Sequence, residues 1–126
     1  MSTEKRAYER ETVNLEALFY VSNGDRTVDV VGIVKDISAR GIGVEIKAGS
    51  AIDGLIGVGS VISFQCVDEF ELFGKPETQI LNMKVTAVWK RESDEVLCLG
   101  GELDKPSMVI ERYLDKKRVC KYMKGI

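Results

Sequence analysis

Between residues 13 and 103 the apolar residues recur at every second position in one short run after another, and no stretch there takes up a helical period. Period-two patterning buries one face of a strand and leaves the other wet, so this stretch must fold as antiparallel sheet. Residues 13–22 set Leu15, Ala17, Phe19 and Val21 against Glu16, Leu18 and Tyr20. Asn23-Gly24-Asp25 then supplies residues that tolerate the positive φ of a hairpin turn. The partner strand, 27–37, is rich in β-branched residues, which suit a pleated surface. Ile42, Val44 and Ile46 mark a third strand, and Ile62, Phe64 and Cys66 a fourth. In the fifth, 80–90, Leu81, Met83, Val85, Ala87 and Trp89 share a face. Leu97, Leu99 and Leu103 end the series, with Gly100-Gly101 expected at a bulge or corner. Residues 47–59 and 68–79 read as connections, the second centred on Gly74-Lys75-Pro76. Six short strands with hairpin-type links imply a closed or nearly closed antiparallel β-barrel, a form that leaves no sheet edge for self-association.

The period changes after residue 104. Pro106 suits a first helical turn, and Val109, Ile110, Tyr113, Leu114, Cys120 and Met123 fall on one helical stripe that Lys117 interrupts. The expected architecture is all-β with one C-terminal helix packed across the barrel. Residues 1–12 form a charged arm, 13–104 the barrel and 105–126 the helix. Lys116, Lys117, Arg118, Lys121 and Lys124 sit where cations favour the negative end of a helix dipole.

The chain's 126 residues suffice for one core, and the net charge of −2 argues against a general polyanion binder, so neither DNA nor RNA is expected as a partner. There is no histidine, which removes the commonest general base and metal ligand and leaves little ground for an enzyme or a metal site. Cys66, Cys98 and Cys120 are widely spaced and odd in number, the pattern of packed, reduced thiols. With no apolar run long enough to span a bilayer and no apolar segment following the first charges, a cytoplasmic location without membrane insertion is expected.

The arm places Arg6 and Arg10 four residues apart, as R-x-x-x-R. Asp36, Ser38 and Gly41 follow as D-x-S-x-x-G where the second strand ends. Guanidinium groups stay charged and present a planar fork that matches phosphate oxygens and the O6/N7 edge of guanine. Asp and Ser at a tight turn also satisfy backbone groups by themselves, which is the ordinary structural use of the second motif. Gly41 fits a turn that needs positive φ or close backbone approach. Gly54, Gly57 and Gly59 form G-x-x-G-x-G, which lacks the order and helix of a dinucleotide fingerprint.

Arg6 and Arg10 followed by Asp36, Ser38 and Gly41 resemble the paired motifs of the PilZ domains, bacterial receptors for cyclic di-GMP, at all five positions. The resemblance implies a six-stranded barrel capped by a helix and no catalytic activity. It further implies that Arg6 and Arg10 bind phosphate and guanine, Asp36 accepts from a guanine Watson-Crick edge, Ser38 adds a hydrogen bond and Gly41 lets the turn approach the ligand. Lys5, Arg40 and Trp89 are further candidates, Trp89 as a stacking surface. The implied mechanism is a switch in which the arm folds over the barrel rim on the ligand and presents a new surface to a protein effector. Two other readings are an adaptor of the same fold working through protein contacts alone, and a small barrel that binds single-stranded nucleic acid.

Overall fold

A computed structural model describes residues 10–23, 26–47, 56–103 and 105–124. Six strands and one helix follow one another: β1 (Glu11–Asn23), β2 (Arg26–Ile37), β3 (Gly41–Lys47), β4 (Val61–Leu72), β5 (Lys75–Glu92), β6 (Val96–Glu102) and α1 (Met108–Lys124). The strands close into a barrel in the order β1-β2-β3-β6-β5-β4, every pairing antiparallel. As the alternation requires, Phe19, Val21, Val34, Val44, Ile46, Phe64, Leu81, Leu97 and Leu99 point inward and are buried. Asn23 pairs with Arg26, so the first hairpin closes over two residues. The expected barrel is therefore the observed one, with β1 starting at Glu11 rather than residue 13.

The longest departure from expectation is at 68–79. β4 runs on to Leu72, β5 starts at Lys75, and Leu72 pairs with Lys75 across Phe73-Gly74. Phe73 and Gly74 both take positive φ, 53° and 77°, the geometry of a two-residue hairpin turn that follows the sheet's twist. The stretch read as a connection because Asp68, Glu69 and Glu71 interrupt its apolar residues. Asp68 is nonetheless buried, with its partners on the helix. Pro76 is accommodated because this part of β5 pairs only with β4.

The helix also differs from its expected form. Pro106 lies outside it, and Ser107 caps it: the Ile110 N–H donates to Ser107 Oγ at 3.3 Å and the Glu111 N–H to Ser107 O at 3.0 Å. Such a cap contributes about 1 kcal/mol. The buried face is Ile110, Tyr113, Leu114 and Cys120, while Val109 and Met123 are exposed. Lys117 belongs to that face. Its Nζ reaches Asp68 Oδ2 at 3.0 Å and lies 4.9 Å from the Phe70 ring centre, so the residue that breaks the apolar stripe is one of its anchors. The Tyr113 hydroxyl donates to the same Asp68 oxygen at 2.8 Å, and Lys121 pairs with Glu11 at the start of β1. Lys116 bonds Glu77 at 3.0 Å and Arg118 pairs with Asp115, so Lys116, Lys117, Arg118 and Lys121, four of the cations expected to answer the helix dipole, are engaged by carboxylates, three of them on the barrel.

Candidate functional site

At one rim of the barrel three register shifts fall close together: between Thr12 and Leu15 in β1, between Val34 and Asp36 in β2, and between Ala87 and Trp89 in β5. Bulges bend a strand and re-aim its side chains, and here they do so around one opening. The third explains Trp89. Strict alternation would put it on the same face as Ala87, inside. The extra residue turns it outward instead, 38% exposed, and lays its indole over Gly100 of β6. A Cβ at Gly100 would sit 1.9 Å from the indole Nε1. The glycine doublet thus marks a bulge as expected, although the extra residue is in the neighbouring strand.

The turn from β2 to β3 is built by its own serine. Ser38 Oγ accepts from the N–H groups of Arg40 (3.3 Å) and Gly41 (3.1 Å), and the Ser38 N–H donates to Gly41 O at 2.9 Å. The Leu103 N–H then donates to Arg40 O at 2.7 Å, tying the turn to the end of β6. Gly41 is required by proximity rather than by φ, since a Cβ there would lie 2.5 Å from Gly101 O. Asp36 packs across its pairing partner Gly43, where a Cβ would meet its Oδ2 at 2.8 Å, and faces Arg10 at 3.6 Å. This long, half-solvated ion pair orients the guanidinium more than it neutralises it, because exposed pairs are worth little.

Together these elements enclose an open cleft of about 290 Å³, lined by Arg10, Ser38, Arg40 and Gly41 together with Val88, Trp89, Gly100 and Glu102. The structure therefore brings together Arg10, Ser38, Gly41, Arg40 and Trp89, five of the eight residues singled out in the sequence. Asp36 stands immediately behind Arg10. Lys5 and Arg6 lie outside the described residues. The glycine-rich segment 54–59 lies partly outside them too. Its described end is tied to β5 by bonds from the Gly59 N–H to Ala87 O (2.8 Å) and from the Ala87 N–H to Ser60 O (2.8 Å), consistent with a connection. Val88 and Glu102 were missed. Val88 is the bulge residue, and Glu102 is an unremarked acid at a strand end.

No family model matches the chain's sequence, and no curated protein does. Solved structures do match. The Bacillus subtilis inhibitor of motility (MotI/DgrA) superposes with a TM-score of 0.65 and 14% identity, over 98% of this chain and 53% of that one. The PilZ domain of YcgR from Escherichia coli, solved with c-di-GMP, superposes with a TM-score of 0.62 and 13% identity, over 97% of this chain and 98% of that one. The chain has the PilZ-domain fold. It spans about half the length of MotI/DgrA and nearly all of the YcgR PilZ domain. At this identity the likeness establishes the barrel, its strand order and its closing helix.

Proposed function

We propose that the chain is a cyclic di-GMP receptor that binds the nucleotide in the cleft at the barrel rim and passes the signal to a protein effector. The observation that carries this reading is the meeting of the two motifs in space: Arg10 from before β1 and Ser38, Arg40 and Gly41 from the β2–β3 turn line one cleft beside an exposed indole. The ligand offers two phosphodiesters and two guanines, and the cleft offers two guanidiniums, an aromatic wall and backbone held open by glycine. Arg6 and Arg10 take phosphate and guanine by bidentate bonds and stacking, with Lys5 and Arg40 adding positive charge. Asp36 orients Arg10 and accepts from a guanine edge, Ser38 holds the turn in its binding shape, and Trp89 packs against a base. The PilZ domain of YcgR, which shares this fold, was solved with the same nucleotide.

The residues ahead of β1, which starts at Glu11, are the moving part in this mechanism. Ordering a chain costs roughly 1–2 kcal/mol per residue, which several charge-assisted bonds to the ligand offset. The closed arm and ligand then present a surface that neither has alone. The role is regulatory binding rather than catalysis, with no cofactor or metal, and free thiols at Cys66, Cys98 and Cys120 accord with a cytoplasmic setting.

Calorimetric titration with cyclic di-GMP, with GTP as control and Arg6→Ala beside the wild type, tests the proposal. Micromolar or tighter binding that Arg6→Ala weakens at least about tenfold is expected, and the stoichiometry counts the nucleotides bound. Absence of both heat and thermal shift would overturn it in favour of an adaptor working through protein contacts alone.

A further inference from the structure

Among the described residues, one carboxylate lines the cleft, and it belongs to neither motif: Glu102, at the end of β6. Its position is fixed on both sides, by pairing with Gly41 of β3 and with Thr86 of β5. Along β6, residues two apart share a face. Gly100, whose missing Cβ would meet the Trp89 indole, therefore faces the same way as Glu102, and Gly101 between them faces inward toward Val85. Two residues of strand rise put the carboxylate about 7 Å along from the seat of the indole, roughly the reach of one base laid against that wall. Glu102 is exposed, and it makes no side-chain hydrogen bond or ion pair among the described residues.

A carboxylate in an anion-binding cleft repels phosphate, so it gives the cleft a direction. Phosphate belongs against the guanidiniums of Arg10 and Arg40, and the wall that carries Trp89 and Glu102 suits a base. Among the bases, guanine presents two adjacent donors, N1–H and the exocyclic N2 amine, which a carboxylate accepts side by side. Adenine presents an acceptor at N1 and has no amine at C2. A ligand with two guanines calls for two acceptor groups, and Asp36, packed on Gly43 beside Arg10, serves at most one end.

We propose that Glu102 is a specificity-determining residue of the cleft, accepting from N1–H and N2–H of a guanine placed against Trp89. This rests on the cyclic di-GMP reading and extends it to a residue outside both motifs.

The test is a chemical cycle on the full chain, with cyclic di-GMP, its di-inosine analogue lacking the exocyclic amines, and cyclic di-AMP titrated into wild type, Glu102→Ala and Glu102→Gln. Melting curves confirm that the variants are folded. The wild type is expected to prefer cyclic di-GMP over the di-inosine analogue by about tenfold, the worth of one hydrogen bond to a charged group. Glu102→Ala is expected to lose about a hundredfold for cyclic di-GMP, which gives up both bonds, and about tenfold for the analogue, which keeps N1–H, so that the preference collapses. Glu102→Gln should fall between, and cyclic di-AMP should gain relative to cyclic di-GMP in both variants. A folded Glu102→Ala protein that keeps the wild-type preference, with either unchanged or uniformly weakened affinities, would overturn the inference and leave the receptor reading standing. Failure of the wild type to bind cyclic di-GMP would overturn the receptor reading itself.

Discussion

Arg10 and Glu11 are neighbours in the chain, and each belongs to a cluster of carboxylates and cations at the same barrel rim, but the two clusters are built differently. On the Arg10 side the pair to Asp36 is 3.6 Å long, the Arg10 side chain is 42% exposed, and Glu102 lines the same cleft open to solvent. On the Glu11 side the groups are close and mostly covered. Asp68 takes Tyr113 at 2.8 Å and Lys117 at 3.0 Å, Lys121 closes on Glu11, and the Cys120 thiol donates to Glu71 O at 2.9 Å. The second cluster has its bonding capacity consumed by the fold and fastens the helix to the barrel. The first retains charge that the fold does not use, which a ligand can. The same residue types are thus structural where buried and paired, and available for binding where loosely paired and wet.

The sharpest way to break this contrast is Asp68→Ala, which leaves the Lys117 ammonium and the Tyr113 hydroxyl without their shared acceptor. A loss of about 3 kcal/mol in denaturant unfolding is expected, with ligand affinity of the folded protein little changed. Gly41→Ala comes next, because its Cβ would press on the backbone oxygen of Gly101. Overpacking of that kind costs about 1–3 kcal/mol, and here the cleft should deform with it. Arg10→Ala should invert the pattern: stability changed by less than about 1 kcal/mol, as for other exposed pairs, and cyclic di-GMP affinity reduced about tenfold or more in calorimetry.

Alkaline pH distinguishes the clusters without mutation. Burial, then the nearby Asp68 charge, pushes the Cys66 thiol from 9.0 to about 11. Burial, then the Asp68 hydrogen bond, pushes the Tyr113 hydroxyl well above its usual range, and Glu11 and Cys66 add to the effect. Both groups hold a proton in the folded state that the unfolded chain releases earlier. Stability is therefore fully present below about pH 9 and falls as pH rises from 9 toward 11, which unfolding titrations at stepped pH would register. Gly100→Ala also has a small effect on stability, about 1 kcal/mol, because the half-exposed indole can swing away. Tryptophan fluorescence should nonetheless shift, since Trp89 is the chain's one tryptophan.

How much of this was legible in the sequence follows the same division. Alternating Leu15, Ala17, Phe19 and Val21 announces β1 because burial imposes its period directly on the residues. The extension of β4 was hidden because Asp68 looks like a loop residue until its partners, 45 and 49 positions further on, are in view. Lys117 was hidden for the same reason, since an ammonium in an apolar stripe is a flaw by pattern and an anchor by contact. In the cleft, Arg10, Ser38 and Gly41 were legible from motif spacing. Trp89 was legible by type and misplaced by face, because a bulge resets the alternation after Ala87. Glu102 was invisible, as nothing local separates it from the chain's other acids. Its neighbours are set by pairing with β3 and β5, far away in sequence.

The most direct test of the central claim is an amide and indole NMR titration of the labelled chain with cyclic di-GMP. Shifts are expected at Arg10, across Ser38 to Ile42, at the Trp89 indole N–H and along Gly100 to Glu102, with the resonances of Asp68, Tyr113 and Lys117 little moved. Shifts centred on the helix–barrel cluster instead, or none at saturating nucleotide, would contradict it.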